Sequence, residues 1–499
     1  MTTINLTPEN LVIENTQLRN EVKYLKEQLA WFQRQIFGKR SEKTISNLNE
    51  SQLEFEGFNS LPAAPNKKDP VSGFERNKPN RSGKDKISLP SDLPVEELII
   101  DLPEEEKICP ETGKQLIKIG EEVTHKLSHR PGSYFIKRIV RFKYALPQES
   151  SGGILTAELP ETLLTRCQAD ESLLADILVS KFADHLPLYR QSEILKRQGI
   201  VISRQLLSQW IIRAGLALKP LFLEMKKQVL MSGNVFVDES PISMLDPGKK
   251  KVHQAFMWVI VGGKEANPPY RIYNFRKSRQ HRHAFELLKG YQGNLHSDKY
   301  GAYETLAKDK KITWCPCWVH IRRKFLEESG DPEFRKWVLR KIRYLFMYEK
   351  IAWARSPEER LGIRQKEIPI IDELIDAIKD KLINGRVLPK SKYKEALGYF
   401  AGLAPYLKNH IQDPWARLDN NVAERAVRPL AIGRKNWMFV GSEDSGEATA
   451  IIFSLVQTCR GIGINPREYL EDVMRRLMSH NSQNLSELLP DQWAKAHKK

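Results

Sequence analysis

Asp419-Asn420-Asn421-Val422-Ala423-Glu424-Arg425-Ala426-Val427-Arg428 is the stretch whose reading decides the fold. Taken locally it opens a helix: Asn421 suits an N-cap, Glu424 stands where a capping box wants a carboxylate, and the apolar positions then take up helical spacing. On that account Glu424 is a cap. The other account makes it the last of three acids that share metal ions, and it needs two partners upstream, each at the end of an apolar, strand-like run. Asn234-Val235-Phe236-Val237-Asp238 and Leu295-His296-Ser297-Asp298 supply them.

The text around those acids has a consistent order. Ala255 to Val261 reads as a buried strand, Tyr270 to Phe275 as a third strand with two-residue alternation, and His281 to Leu288 as a helix. Ile312 to Trp318 gives a fifth strand before the basic helix from His320 to Phe325. Three meandering strands, a helix and further strands are the order of a ribonuclease-H-like α/β core, in which the first and fourth strands are neighbours and Asp238 stands beside Asp298. Two carboxylates so placed repel each other unless cations fill the gap. Magnesium suits that gap, because it takes carboxylate oxygens while keeping waters and substrate phosphate in its shell. Two such ions ~4 Å apart serve phosphodiester displacement, manganese being the alternative, and Glu424 completes the clamp. An aspartate at a strand end is also an ordinary turn residue; the trio in this order is what favours Asp238, Asp298 and Glu424 as catalytic metal ligands.

Composition points the same way. The chain has 499 residues, and its 79 lysines and arginines against 62 acids give a formal charge of +17, a footprint for polyanions and for nucleic acid above all. Its five scattered cysteines do not make a disulfide framework. The first residues lack the charged and apolar regions of a signal peptide, and the longest apolar run, Ala255 to Val261, is too short to span a bilayer. These features predict a cytoplasmic protein with no membrane partner.

Working outward, residues 1–43 read as a coiled-coil helix. Leu11, Leu18, Leu25 and Phe32 recur every seven residues, with Asn15, Val22, Leu29 and Ile36 between them. Either residues 11–36 join a homodimer or higher oligomer, with Asn15 fixing register, or they pack on the body of the same chain. Residues 44–103 carry Asn, Ser, Pro, Lys and Gly without a period and read as a flexible basic linker. Residues 104–155 form a small β module in which Lys137, Arg138, Arg141 and Lys143 are candidates for DNA backbone contacts. Only Cys109 offers a thiol there, so no structural zinc is expected.

Residues 156–230 are helical. Leu173, Leu174, Ile177, Leu178 and Phe182 line one face of the first helix; a short helix from Tyr189 to Arg197, a turn at Gly199 and a helix capped by Ser203 follow. Helix, glycine turn and capped helix is the layout of a helix-turn-helix, with Arg204, Gln205 and Gln209 facing the bases, although helical hairpins also occur as plain structural elements. The catalytic core then spans 231–330 and 416–460, interrupted by a helical insertion over 331–415 and followed by a C-terminal helical segment over 461–499. Cys315 and Cys317 read as a buried strand end, and His281 and His283 as a solvated helix start. Arg322, Arg323 and Lys324, beside a metal site, are candidate phosphate clamps.

Four stretches carry a resemblance to a known family: Val237-Asp238-Glu239-Ser240-Pro241, Asp298-Lys299-Tyr300-Gly301-Ala302-Tyr303, Cys317-Trp318-Val319-His320-Ile321-Arg322-Arg323-Lys324-Phe325, and Asp419 to Arg425 with Gly433-Arg434-Lys435-Asn436. Over nearly its whole length the chain resembles transposases of the insertion sequence 66 family. The resemblance implies an Asp-Asp-Glu triad carried onto Asp238, Asp298 and Glu424, with an inserted helical region between the second and third acids. It also implies a leading coiled coil, a zinc-finger-like module and a helix-turn-helix. Thr112, Leu146 and Glu149 stand where three of four module cysteines are expected, a departure that argues against zinc there. The function implied is a DNA transposase that binds the ends of an insertion sequence and cuts and joins strands with magnesium. Its partners are double-stranded DNA at the element ends and target, and accessory proteins of the same element, with Arg425, Arg428, Arg434 and Lys435 added to the DNA contacts. A DNA-binding regulator without catalysis and a metal-dependent nuclease of the same fold are the alternatives.

Overall fold

Among the described residues two sheets organise the chain, a small one near residue 100 and a larger one that carries Asp238 and ends one residue before Asp298. The computed structural model describes residues 91, 93–108, 115–130, 132–145, 154–246, 251–264, 267–328 and 330–497. The heptads of residues 11–36, most of the basic linker, Cys109, Thr112, Leu146 and Glu149 lie outside the described residues.

The small sheet comprises β1 (Val95–Ile100), β2 (Ile117–Arg130), β3 (Ser133–Ala145) and β4 (Leu155–Thr156). β2 and β3 form a long antiparallel hairpin, β1 lies parallel to β3, and β4 pairs with the end of β3. Alternation along β3 puts Lys137, Arg141 and Lys143 on one face and Arg138 on the other, but neither face offers them free for DNA. Arg138 pairs with Glu97 and Glu121, Arg141 with Glu122, and Lys137 with Asp170. Carboxylates of neighbouring strands and, for Lys137, of the residue before the following helix neutralise them, and none is visible in the sequence of one strand.

The helical block is α1 (Glu171–Phe182), α2 (Leu188–Arg197), α3 (Arg204–Ala217) and α4 (Lys219–Met231). Asp170 caps α1, Gly199 takes a positive φ of 76° between α2 and α3, and Ser203 accepts from the Leu206 N–H to cap α3. Leu173, Leu174, Ile177, Leu178 and Phe182 are all buried. Among the described residues no single helix is long and apolar enough to cross a membrane. α3 and α4 pass on length and composition only as a pair bent by 49°, and their apolar faces, Leu207, Trp210, Leu221 and Met225, lie in the core.

The larger sheet holds β5 (Asn234–Asp246), β6 (Lys251–Gly262), β7 (Arg271–Arg276), β8 (Gly293–Ser297) and β9 (Ile312–Pro316), in the order β7-β6-β5-β8-β9. β5, β6 and β7 are antiparallel neighbours; β8 and β9 run parallel to β5 and to each other. β5 does not stop at Asp238, as the apolar run suggests: β6 pairs with it as far as Asp246. The crossovers contain α5 (His281–Leu287) and α6 (Gly301–Leu306), and α7 (Trp318–Glu327) begins two residues after β9. His283 is buried on Ser278 rather than solvated, since it shares the inward face of α5 with Ala284 and Leu287.

The inserted region is helical throughout its long elements: α8 (Pro332–Trp353), α9 (Pro357–Arg364), α10 (Ile368–Ile383) and α11 (Lys392–Leu403). The chain then returns with α12 (Asn421–Trp437) against β5 and β6, and α13 (Glu443–Gly461) against β7, before α14 (Pro466–Arg476) and α15 (Pro490–Ala496). From Ala448 to Cys459 every residue of α13 is buried, which is why that stretch is largely apolar, its polar members such as Ser454 and Gln457 being hydrogen-bonded to other segments.

Candidate active site

The parallel register of β5 and β8 pairs Val235 with Leu295 and Phe236 with His296. Carried on by two residues, it sets Asp238 opposite Asp298, where β8 has ended and the two chains part. Each aspartate is turned by its own backbone: Asp238 Oδ1 accepts from the Glu239 N–H at 2.9 Å, and Asp298 Oδ1 from the Tyr300 N–H at 3.1 Å. Both are half-buried. Burial, with the charges of Glu239, Asp298 and Glu424, pushes the Asp238 carboxyl up to about 8. Three acids therefore share one field, at the electrostatic cost expected of carboxylates brought together without a cation.

Glu424 reaches them from α12. The N-cap is Asn420 rather than Asn421, and no side chain caps the helix. The Asn420 amide is engaged elsewhere: its Nδ2 donates to the Val237 carbonyl at 2.8 Å, tying the start of α12 to the strand residue before Asp238. Asp419 Oδ1 takes the Asn421 N–H at 3.0 Å, so the turn is closed without Glu424. The capping box is absent for that reason. Glu424 Oε1 is buried and has no hydrogen-bond partner, an expensive state for a carboxylate oxygen.

Pattern reading missed three neighbours. Arg279 pairs with Glu239, whose side chain is 1% exposed, and its Nη2 lies 3.8 Å from Asp298 Oδ2. Arg279 also stacks over Tyr300, 4.4 Å from the ring centre. His320, on α7, sets its Nδ1 3.7 Å from Glu424 Oε1; burial pushes its pKa down, against the pull of Glu424 and Asp298. Cys317, read as a strand end, is the N-cap of α7, and its Sγ accepts the Asn420 N–H at 3.3 Å. The spacing Cys317-x-x-His320 was the available signal.

The cations expected at DNA divide into two sets. Arg322 and Arg323 on α7, and Arg425, Arg428 and Lys435 on α12, are exposed, as are Arg204, Gln205 and Gln209 on α3. Lys324 is held by Glu395 at 2.5 Å, and Arg434 donates to Ser240 Oγ at 2.8 Å and to the Pro241 carbonyl at 2.7 Å. Arg434 thus fastens α12 to β5.

Comparison with known proteins gives the family. The family described as "Transposase IS66 family" matches residues 166–448, which takes in the helical block, both aspartates and Glu424. The "IS66 C-terminal element" matches 454–490, and "Transposase C of IS166 homeodomain" matches 24–98, a stretch whose composition reads as coiled coil and linker. Uncharacterized protein y4jD of Sinorhizobium fredii is 31% identical over 98% of this chain and 98% of its own length. Uncharacterized protein y4qI of the same organism is 31% identical over 90% of this chain and 85% of its own length. The chain belongs to the IS66 family of transposases.

Proposed function

We propose that this transposase binds the ends of its mobile element and cuts and joins DNA strands at Asp238, Asp298 and Glu424. The observation that carries the proposal is the Glu424 carboxylate, released from capping, with one oxygen buried and unpartnered and its charge acting on Asp238. The sheet order, with the second strand pair antiparallel and the fourth strand parallel to the first, supports a ribonuclease-H-like core.

The donor set fits magnesium: three carboxylates, one pushed up by burial and by its neighbours, form the all-oxygen environment that a hard cation relieves. Asp238, Asp298 and Glu424 would hold two ions, manganese substituting, and ions so held activate an attacking oxygen and stabilise a leaving one. The protein's own part is placement. Asn420 holds the Glu424 helix to β5, and Arg279 offsets the charge of Glu239 beside the trio while leaning on Asp298. Arg322, Arg323, Arg425, Arg428 and Lys435 offer their charges to phosphates on the exposed faces of α7 and α12, and Arg204, Gln205 and Gln209 offer base contacts from α3. Residues 11–36 would join two copies so that two element ends are held together.

Asp238→Asn tests the assignment, because it keeps the shape and removes the charge. DNA binding is expected to persist while magnesium-dependent end cleavage disappears. Cleavage that survives in a folded Asp238→Asn protein overturns the trio. A native protein that binds ends and never cuts them supports the regulator reading, and one that cuts but never joins the freed 3′ end to target DNA supports the nuclease reading.

A further inference from the structure

We infer that Cys317, His320 and Glu424 form a second cation site, for a zinc-like divalent ion, whose occupation withdraws Glu424 from Asp238 and Asp298. The site itself stands on its own geometry; the inhibitory consequence rests on the proposed function.

Sγ of Cys317, a ring nitrogen of His320 and a carboxylate oxygen of Glu424 all lie within 4.8 Å of one another. His320 Nδ1 and Glu424 Oε1, 3.7 Å apart, are both buried and neither has a hydrogen-bond partner. Nitrogen and oxygen ligands each ~2.0–2.2 Å from a tetrahedral zinc stand nearly that far apart, so small side-chain adjustments admit an ion. The sulfur is supported as a metal-bound thiolate is: it sits at the start of α7 and takes the Asn420 N–H. One thiol, one imidazole and one carboxylate leave a fourth position for water or phosphate.

The donor chemistry separates this site from the magnesium set. Magnesium takes oxygen donors, whereas thiolate and imidazole select softer ions. Glu424 is close to the sulfur-nitrogen pair and acts on Asp238 of the all-oxygen pair, and its side chain cannot serve both fully. The other close group of candidate ligands, Glu349, Glu367 and His410, is different, because the Arg364 guanidinium already lies on Glu349.

The test uses the full chain, stripped with chelator and titrated with cobalt(II) as a spectroscopic probe. One equivalent should bind with a sulfur-to-cobalt charge-transfer band that zinc displaces and that Cys317→Ser lacks. His320→Gln should weaken cobalt binding by about tenfold or more, since even outer partners of metal ligands are worth 10–100-fold. Absence of the band in native protein, or its persistence in Cys317→Ser, overturns the site; should Cys317→Ser fail to fold, unchanged cobalt affinity in His320→Gln overturns it instead. Zinc should suppress magnesium-dependent cleavage by the native protein, and Cys317→Ser should need about tenfold more zinc; equal sensitivity overturns the inhibitory role. A native protein that never cleaves counts against the proposed function alone, because cobalt binding still decides the site.

Discussion

Two glutamates show how much depends on a single side chain's surroundings. Glu424 was legible as a candidate because it stands in a helical turn after Asp419-Asn420-Asn421, but the sequence could not say which asparagine caps or that Asn420 is drawn away by Val237. His320 was legible only as a spacing from Cys317, since its approach to Glu424 joins α7 to α12 across the whole insertion. Glu367 is the opposite case, an ordinary glutamate in sequence that is fully buried in the fold. Burial, with the adjacent Glu349 carboxylate, pushes it up to about 8, while burial pushes its partner His410, 2.8 Å away, down to about 4. The signs follow from proton counting. Unfolded, Glu367 ionises near 4.5, so the folded form holds the extra proton and stability from this residue falls as pH rises from there to about 8. His410 acts oppositely, stability rising with pH between about 4 and its ordinary 6.5. The two oppose each other below 6.5, leaving pH 6.5 to 8 as the window in which Glu367 acts without His410. Glu367→Gln, which mimics the protonated acid, should flatten the decline of urea-unfolding stability there by up to about 1.4 kcal/mol per pH unit. Parallel pH profiles for native and variant protein would show that Glu367 is ionised in the fold.

At the scale of elements, hydrophobic period was a good guide wherever one face is buried. The stripe of α1, the Ser203 cap of α3 and the apolar run of α13 were all readable for that reason. What failed was anything set by a partner across space. The length of β5 depends on β6, and the neutralised cations of β3 depend on carboxylates of other strands. Close approach of two helices is equally hidden. A Cβ on Gly215 of α3 would meet Ala448 of α13 at 2.7 Å from its Cβ and 2.8 Å from its Cα, so the two helices touch where there is no side chain. Gly215→Val should therefore cost about 1–3 kcal/mol or more by forcing α3 off α13. Gly398, inside α11, has nothing within 4 Å of such an atom, and Gly398→Ala should instead stabilise by ~0.5–1 kcal/mol through helix propensity. Chemical denaturation of the two variants should move midpoints in opposite directions. A tolerated valine at 215 would mean that α3 and α13 are less closely seated than these distances state.

For the molecule as a whole, the question is how an insertion of some eighty residues returns the chain to the sheet with Glu424 in place. The sequence showed that the insertion is helical but not what fastens it, because the fasteners are buried side chains, Arg360, Glu367 and above all Arg364, whose partners over 410–416 stand far along the chain. Arg364, fully buried at the end of α9, meets Glu349 of α8 with Nε at 2.5 Å and Nη2 at 3.0 Å. Its remaining donors take the carbonyls of His410, Asp413 and Ala416 at 2.9, 2.7 and 2.7 Å. The next residue, Arg417, donates its N–H to His296 of β8, and Leu418 accepts from Trp318 at the start of α7. A continuous set of contacts thus runs from the insertion, through 410–418, to the strand before Asp298 and the helix that carries Glu424. Arg364→Met should destabilise by about 3–5 kcal/mol, since it leaves the Glu349 carboxylate buried without its cation. Replacing both partners, Arg364→Met with Glu349→Leu, should recover a good part of that loss, because no uncompensated charge then remains. End cleavage should not recover in step with stability, because the methionine no longer holds the 410–416 carbonyls and the path into α12 is left slack. Full recovery of both would make Arg364 a packing residue. Recovery of stability alone would identify the arginine as what couples the insertion to the position of Glu424.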